Sequence, residues 1–219
     1  MDKTSCEQLF KDAYDNRYTW DSNFLGYKGS CSWTDGKREI KGTFLLGKDL
    51  KAIVNKINDE EINKAISSQL WEVAIHRVRR SFDQTHGKNT FEFGDTNESG
   101  TEIIVGGKNE GDKYRVKNDV VTMVYRHIHG NLIIILTKDV THTGNGYLSK
   151  SYSSQYLDPI SKKDLKGKSF YKDAFIPLFK DGPWVLSSRS IHQESPKGSI
   201  LNKQVFSFSE LKSIGFKQG

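Results

Sequence analysis

Arg126 is the residue with the clearest chemical potential, because it stands among apolar neighbours in the segment Val124 to Ile128. A guanidinium on an apolar strand face must pair with an acid, reach the edge of the face or receive an anionic group. The reason is that an unpaired buried charge costs several kcal/mol. Pairing with a protein carboxylate is the common outcome. The alternative is that Arg126 marks the polar end of a ligand pocket.

Histidines near this arginine could ligate a metal ion. His127 and His129 are two residues apart, so they share one face of a strand, and His86 and His142 could join them. No Cys, Asp or Glu stands at a matching short interval, and histidines at strand ends are commonly solvated or hydrogen-bonded. The sequence therefore predicts no metal site.

Catalytic and cofactor motifs are poorly represented. The segment Gly144-Asn145-Gly146-Tyr147 lacks the third glycine of a dinucleotide loop and the Lys-Ser/Thr of a phosphate loop, so we interpret it as a hairpin turn. There is no nucleophile elbow, and Asp139 near His142 is a pairing that chance readily supplies. We predict no cofactor and no catalytic residue, and the interpretation leans against an enzyme. Acid–base pairs that only folding assembles would escape this reasoning.

The elements around these residues are predominantly strands. From Thr90 onward, short alternating apolar runs are separated by Gly, Asn and Asp turns, a pattern typical of an antiparallel meander. A hairpin around Asp35-Gly36, a short helix beginning with the capping box Thr4 to Glu7, and a long helix from Asn58 to Phe82 precede it. We predict one domain, 1–219, of the α+β class and mainly β. In it a curved antiparallel sheet, a half-barrel, wraps around the one long helix.

The hairpin that contains Arg126 has two apolar faces. With a turn at Gly130-Asn131, Arg126 would oppose Ile135 and Tyr125 would oppose Leu136. One face then carries Val121, Met123, Tyr125, His127, Leu132, Ile134 and Leu136, and the other carries Val124, Arg126, Ile128, Ile133 and Ile135. Either both faces are covered or one lines a cavity, since a solvated face should be polar. A filled, dry core has equal standing. The candidate ligand-binding residues are Arg126, Tyr125, His127, Met123, Trp33 and Phe44.

Composition and charge restrict the partners. The chain has 33 Lys and Arg against 27 Asp and Glu, a net charge of +6 that is mostly dispersed. Aromatic and basic residues interleave at Lys168 to Lys172, but lysines on solvated strand edges explain them more simply, so we predict no nucleic-acid partner. Two cysteines without metal-like spacing, a polar opening after Met1 and a longest aliphatic run of only Leu132 to Leu136 predict a cytoplasmic protein. It should have free thiols and no transmembrane segment.

Several segments carry a family resemblance. They are Leu9 to Asp21, with its Tyr-x-Asn-Arg-Tyr-Thr-Trp-Asp stretch, Phe24 to Tyr27, His76-Arg77, Ser81-Phe82, His86-Gly87 and Gly144 to Tyr147. Over nearly its whole length the chain resembles an uncharacterised family of cyanobacterial and plastid proteins. Leu25 departs from the proline expected in that family. The resemblance implies a photosynthetic cell and carries over no catalytic residue.

The predicted architecture is also weakly similar to lipoprotein-carrier half-barrels, whose apolar concavity holds acyl chains. The leading functional hypothesis is noncatalytic binding of an amphipathic small molecule, a lipid or pigment, in the concave face of the sheet. The first alternative is a protein-interaction or assembly module in a photosynthetic cell, which would use the outer face or the aromatic region Tyr14 to Tyr27. The second alternative is an enzyme with a site assembled from His86, Arg126 and His127.

Overall fold

The computed structural model describes residues 5–215, and within them it has three helices and twelve strands. The helices are α1 Cys6–Asp15, α2 Glu60–Ile75 and α3 Phe82–His86. The strands are β1 Gly26–Thr34, β2 Glu39–Gly47, β3 Ala52–Asn55, β4 Asn89–Asn97, β5 Gly100–Gly107, β6 Lys113–Lys117, β7 Val120–Ile128, β8 Asn131–His142, β9 Tyr147–Leu157, β10 Asp164–Pro177, β11 Trp184–Glu194 and β12 Ile200–Ser213.

The strands form one sheet in the order β3-β2-β1-β12-β11-β10-β9-β8-β7-β6-β5-β4. Each pair of adjacent strands in the sheet is also consecutive in sequence, except the pair of β1 and β12. Consecutive strands joined by short turns can pair only in the antiparallel direction. Edge strands β3 and β4 leave the sheet open. Bulges in the ladders, such as those at Lys28/Ser30 and Phe93/Thr96, bend the strands concerned. The predicted fold class, mainly β with a curved antiparallel sheet and a short N-terminal helix, is confirmed.

The residue contacts divide the chain into two compact units. The first unit comprises residues 5–18, 80–171 and 193–201, and the second comprises 19–79, 172–192 and 202–215. The prediction of a single domain concerns independent folding, which this division does not test.

In the first unit, α1 and α3 cover the strands β4 to β7. Ser5 caps α1 by accepting a hydrogen bond from Gln8 N at 3.1 Å, and the predicted capping residue Thr4 lies outside the described residues. Phe10 is the centre of the core. Its ring lies between 4.4 and 6.4 Å, centroid to centroid, from those of Tyr14, Phe82, His86, Phe91 and Tyr114.

In the second unit, α2 packs on β1 and β3. Asp59 caps it by accepting from Ile62 N at 3.2 Å. Of the predicted apolar stripe, Ala65 is half-buried, and the other residues are buried: Ile62, Ile66, Leu70, Val73 and Ala74. The helix ends at Ile75 rather than at the predicted Phe82. After Ile75 the chain turns and pairs elsewhere, since Arg77 O accepts a hydrogen bond from Trp20 N at 2.8 Å. Phe82 opens α3 instead.

A buried ion pair also belongs to the second unit. The Nε and Nη2 atoms of Arg189 donate to the two carboxylate oxygens of Asp173 at 2.8 and 2.7 Å. Its Nη1 donates to Gln69 of α2 at 2.9 Å and to Glu72 at 3.3 Å. The pair therefore joins the long helix to β10 and β11. The sequence contains a signal for this ion pair. Asp173 lies two residues from the buried Phe175 and Arg189 lies four residues from the buried Val185, so each charged residue shares a strand face with a buried apolar one.

Candidate ligand-binding site

The hairpin of β7 and β8 turns at His129 and Gly130. Both residues have positive φ, 49° and 76°, as a two-residue hairpin turn of type I′ requires. Arg126 consequently opposes Ile133 and Tyr125 opposes Ile134, two residues from their predicted partners. The predicted turn at Gly130-Asn131 is wrong. Because a shift of two residues preserves the alternation of side chains, it leaves the two faces of β8 as predicted.

A bulge at Thr122 corrects one face assignment on β7. Val116 opposes Val121 while Arg115 opposes Met123, so Thr122 is an extra residue on β7. Val121 therefore points to the side of Val124, and both pack against the α1 core. Grouping Val121 with Met123 was wrong because the predicted alternation assumed an unbroken strand. The side that bears Val121, Val124, Arg126, Ile128, Ile133 and Ile135 is called the helix face below.

Arg126 is paired with a buried carboxylate from the turn before β6. Its Nε donates to Asp112 Oδ2 at 3.2 Å, and Asp112 Oδ1 accepts from His127 N at 2.9 Å and lies 3.3 Å from His127 Nδ1. The Arg126 side chain is 33% exposed. Of the three guanidinium nitrogens of Arg126, Nε alone has a hydrogen-bond partner among the residues that the structure describes. The two terminal nitrogens can therefore donate to another group. Asp112 could not be predicted as the partner from sequence alone, because its segment has only the composition of a turn.

His86 lies buried beside this arginine, under the aromatic rings of the first unit. Burial lowers the pKa of His86 most, the positive charges of Arg126 and Arg17 add to this effect and Asp112 opposes it, and together they bring the pKa to about 4. His86 is thus neutral in the fold, and Asn89 Nδ2 lies 3.3 Å from its Nδ1. His127 belongs to the opposite face of β7. Over residues 5–215, no group of three or more His, Cys, Asp and Glu side chains is arranged to hold a metal ion.

The neutral His86 predicts a loss of stability on acidification. The unfolded chain binds a proton at this histidine below its ordinary pKa of 6.5, whereas the folded chain does so only near 4, so stability falls as the pH drops between these values. We expect the loss from this group to be on the order of 2 to 3 kcal/mol. Urea denaturation of the wild type and of His86→Gln across this range should show a flatter pH dependence in the variant. His142→Gln, at an exposed histidine, is the control, and equal slopes for wild type and His86→Gln would contradict the prediction.

The helix face continues from β7 across β8 onto β9. Ile133 opposes Tyr156, Ile135 opposes Ser154, and Thr137 opposes Tyr152. Tyr152 stacks on Tyr171 of β10 with ring centroids 4.6 Å apart and planes within 6°. The aliphatic side chains Val124, Ile128, Ile133 and Ile135 are only half-buried, and Tyr156 is exposed. An apolar and aromatic surface therefore extends beyond the α1 core, with the Arg126 guanidinium in its first row.

The other predicted residues lie elsewhere. Met123, Tyr125 and His127 occupy the opposite face of β7, where Lys162 Nζ lies 5.7 Å from the Tyr125 ring centroid. Trp33 and Phe44 belong to the second unit and are buried in its core. Trp33 Nε1 donates to Gln204 Oε1 at 3.0 Å, and the Phe44 ring meets those of Tyr27 and Phe208 edge-on. Of the six candidates, only Arg126 lies on the helix face.

The chain belongs to a family of proteins of unknown function. Its family model, described as protein of unknown function (DUF3386), matches residues 1–214. The predicted membership of an uncharacterised family is confirmed, and the cyanobacterial or plastid setting stays a prediction. A comparison with curated proteins finds no match.

Three solved structures are similar to the chain over nearly its whole length. A LolA superfamily protein from Nitrosomonas europaea has 9% identity and a TM-score of 0.35, with 98% of this chain and 96% of that chain covered. A putative outer membrane lipoprotein-sorting protein domain from Vibrio parahaemolyticus has 7% identity and a TM-score of 0.38, with 97% and 94% covered. A DUF1329 family protein from Desulfovibrio piger has 11% identity and a TM-score of 0.30, with 98% and 96% covered. Similarity of this degree establishes no activity.

Within residues 5–215, no helix is both long enough and apolar enough to cross a bilayer.

Proposed function

We propose that the helix face of β7 to β9 binds an amphipathic small molecule such as a lipid or pigment. Its apolar body would lie on Ile133, Ile135 and Tyr156, and its anionic head would lie at Arg126. One observation carries the proposal: a partly exposed guanidinium with donors to spare adjoins half-exposed aliphatic side chains on one face. Binding alone, without catalysis, accounts for this arrangement.

The apolar part of the face supports binding through incomplete burial. Fully burying an isoleucine side chain contributes about 1.5 to 3 kcal/mol, so covering a half-buried isoleucine would contribute about 1 kcal/mol to ligand binding. Ile133 and Ile135 lie side by side on β8 at alternate positions, and Tyr156 extends the row that begins at Arg126. A chain-like or flat apolar body covers this row.

The polar part of the face favours an anionic head. Asp112 already neutralises one side of the Arg126 guanidinium through Nε, which fixes the orientation of its planar fork. The terminal nitrogens then present two parallel donors, the geometry that matches a carboxylate or phosphate group. We also propose that the protein is cytoplasmic.

Displacement of a fluorescent fatty acid tests the proposal with neighbouring residues as matched controls. Ile133→Gln should weaken binding about tenfold, because a polar amide replaces the apolar contact. Ile134→Gln should leave binding unchanged, since that half-buried side chain points to the opposite face. Arg126→Gln should weaken binding of the acid but not of its methyl ester, which lacks the charge.

Two outcomes contradict the proposal in different ways. Loss of binding in Ile134→Gln but not in Ile133→Gln would move the site to the face of Met123 and Tyr125. No saturable binding of fatty acids, lysophospholipids or apolar pigments by the wild type would retire the small-molecule function and favour a protein-interaction module.

A further inference from the structure

Two hairpin tips of the first unit lie side by side. The β9–β10 turn spans 158–163 and the β11–β12 turn spans 195–199, and successive antiparallel strands place both turns at the same end of the sheet. Gln193 Nε2 donates to Lys166 O at 3.1 Å across the two hairpins. Gly167, with φ of 79°, lies directly against Glu194 O, where any side chain would collide. The two tips therefore form one continuous surface.

This surface carries aliphatic side chains in solvent. Ile160 at the first tip is 91% exposed and Ile200 beside the second is 70% exposed, and both Leu165 and Leu201 are exposed as well. Turns ordinarily carry polar residues, because a solvated aliphatic side chain at a tip contributes nothing to the core. Clustered exposed apolar residues of this kind mark an interaction surface.

Lysines surround these side chains. The segments 158–168 and 193–201 contain five lysines, at positions 162, 163, 166, 168 and 197, against the three acids Asp158, Asp164 and Glu194. Two of the acids serve the turns themselves. Asp158 accepts from Ile160 N and Ser161 N, and Asp164 accepts from Lys166 N and Gly167 N. The charge presented outward is therefore predominantly positive.

We propose that the two tips, 158–168 and 193–201, dock on a bilayer that contains anionic lipids. The aliphatic side chains Ile160, Leu165, Ile200 and Leu201 enter the interfacial layer, and the lysines meet the lipid phosphates. Apolar side chains at hairpin ends that also carry several lysines match the layered chemistry of a membrane surface, in which negative charge lies above an apolar layer. A protein partner would have to reproduce both layers at the same spacing.

The tips adjoin the proposed ligand-binding face. Lys166 Nζ lies 5.6 Å from the ring centroid of Tyr156, at the edge of that face. Membrane docking would bring this edge to the lipid surface. The inference nevertheless stands without the ligand, since it depends only on the tips, and vesicle binding and ligand binding are measured separately.

Sedimentation with vesicles provides the first test. The wild type should sediment with vesicles of phosphatidylcholine mixed with phosphatidylglycerol but not with phosphatidylcholine alone, and added salt should weaken the binding. Ile160→Ser combined with Ile200→Ser should reduce the affinity at least tenfold, and so should Lys162→Glu combined with Lys166→Glu. Ile53→Ser, at an exposed isoleucine of the second unit, is the control and should bind as the wild type does.

A site-specific label provides the second test. Both native cysteines are buried, so Ile160→Cys supplies one accessible thiol for an environment-sensitive fluorophore. Its emission should shift to the blue with anionic vesicles, and a label at Ile53→Cys should not respond. Absence of binding to anionic vesicles would overturn the inference. So would a lipid-free dimer, seen by analytical ultracentrifugation, that the Ile160→Ser and Ile200→Ser substitutions dissociate, because the tips would then face a second copy of the chain.

Discussion

Replacement of Arg189 by methionine is expected to lower the free energy of unfolding by about 3 to 5 kcal/mol. The guanidinium is only 2% exposed, and two of its nitrogens bind both oxygens of Asp173. Removing it strands a carboxylate in an apolar interior and leaves Gln69 without its charged partner. Burial already raises the pKa of the Asp173 carboxyl, while the hydrogen bonds and charge of Arg189 oppose that rise.

The pH dependence of this loss has a defined sign. Without Arg189 the charge of Arg77 is left to oppose burial, so the pKa of Asp173 in the folded variant rises further above its unfolded value. The unfolded state then ionises first as the pH increases, and the deficit of Arg189→Met grows with pH until the folded carboxyl ionises too. Urea denaturation at several pH values measures both the deficit and its slope.

Two control variants separate loss of the pair from loss of volume. Arg189→Met combined with Asp173→Leu should recover most of the stability, because the stranded charge is gone and the volume is retained. Arg38→Met removes an exposed ion pair with Asp35 and should cost much less stability than Arg189→Met. A double variant as unstable as the single one would show that the pair does not act through its charge.

Phe10→Ala should be nearly as damaging, with an expected loss of about 3 to 5 kcal/mol. Its side chain is 1% exposed and contacts five rings contributed by α1, α3, β4 and β6, so no neighbour can fill the cavity by a small movement. Near-UV circular dichroism would report the loosened tyrosine and phenylalanine packing, and thermal denaturation would report the loss of stability. Because α1 also borders the helix face at Val124, fatty-acid binding should weaken in this variant.

Phe93→Ala is the matched control for this prediction. Phe93 belongs to the same unit and undergoes the same change of volume, but its side chain is 51% exposed on the edge strand β4. We expect a loss of about 1 kcal/mol or less. Similar losses in the two variants would mean that α1 is not the element that holds the first unit together.

The sequence predicted the fold well because a meander is a local structure. Each strand pairs with its chain neighbour, so alternation and Gly, Asn and Asp turns were enough to predict the antiparallel sheet. The stripe from Ile62 to Ala74 predicted α2 for the same reason. The helix end was misplaced because Val78 and Phe82 continue the apolar spacing, although the backbone after Ile75 bonds to Trp20 instead.

The candidate site was predicted only in part. The apolar hairpin and its single arginine were visible in the alternation, and Arg126 does lie on the face that α1 borders. Trp33 and Phe44 are aromatic residues on either side of the predicted Asp35-Gly36 hairpin turn, and tertiary packing buries both in the second unit. Whether an aromatic residue lines a surface or fills a core depends on the element opposite it, which no local pattern specifies.

The sequence by itself determined which segments form strands and, to within about a residue, where the turns fall, because these follow from backbone geometry within a few residues. Tertiary structure decided the partners. Asp112, in the turn before β6, neutralises Arg126 of β7, and Asp173 of β10 neutralises Arg189 of β11. The bulge at Thr122 places the Val121 side chain on the other face of the sheet. Charge pairing acts between groups that folding brings within a few ångströms, so it depends on register and strand order rather than on spacing along the chain.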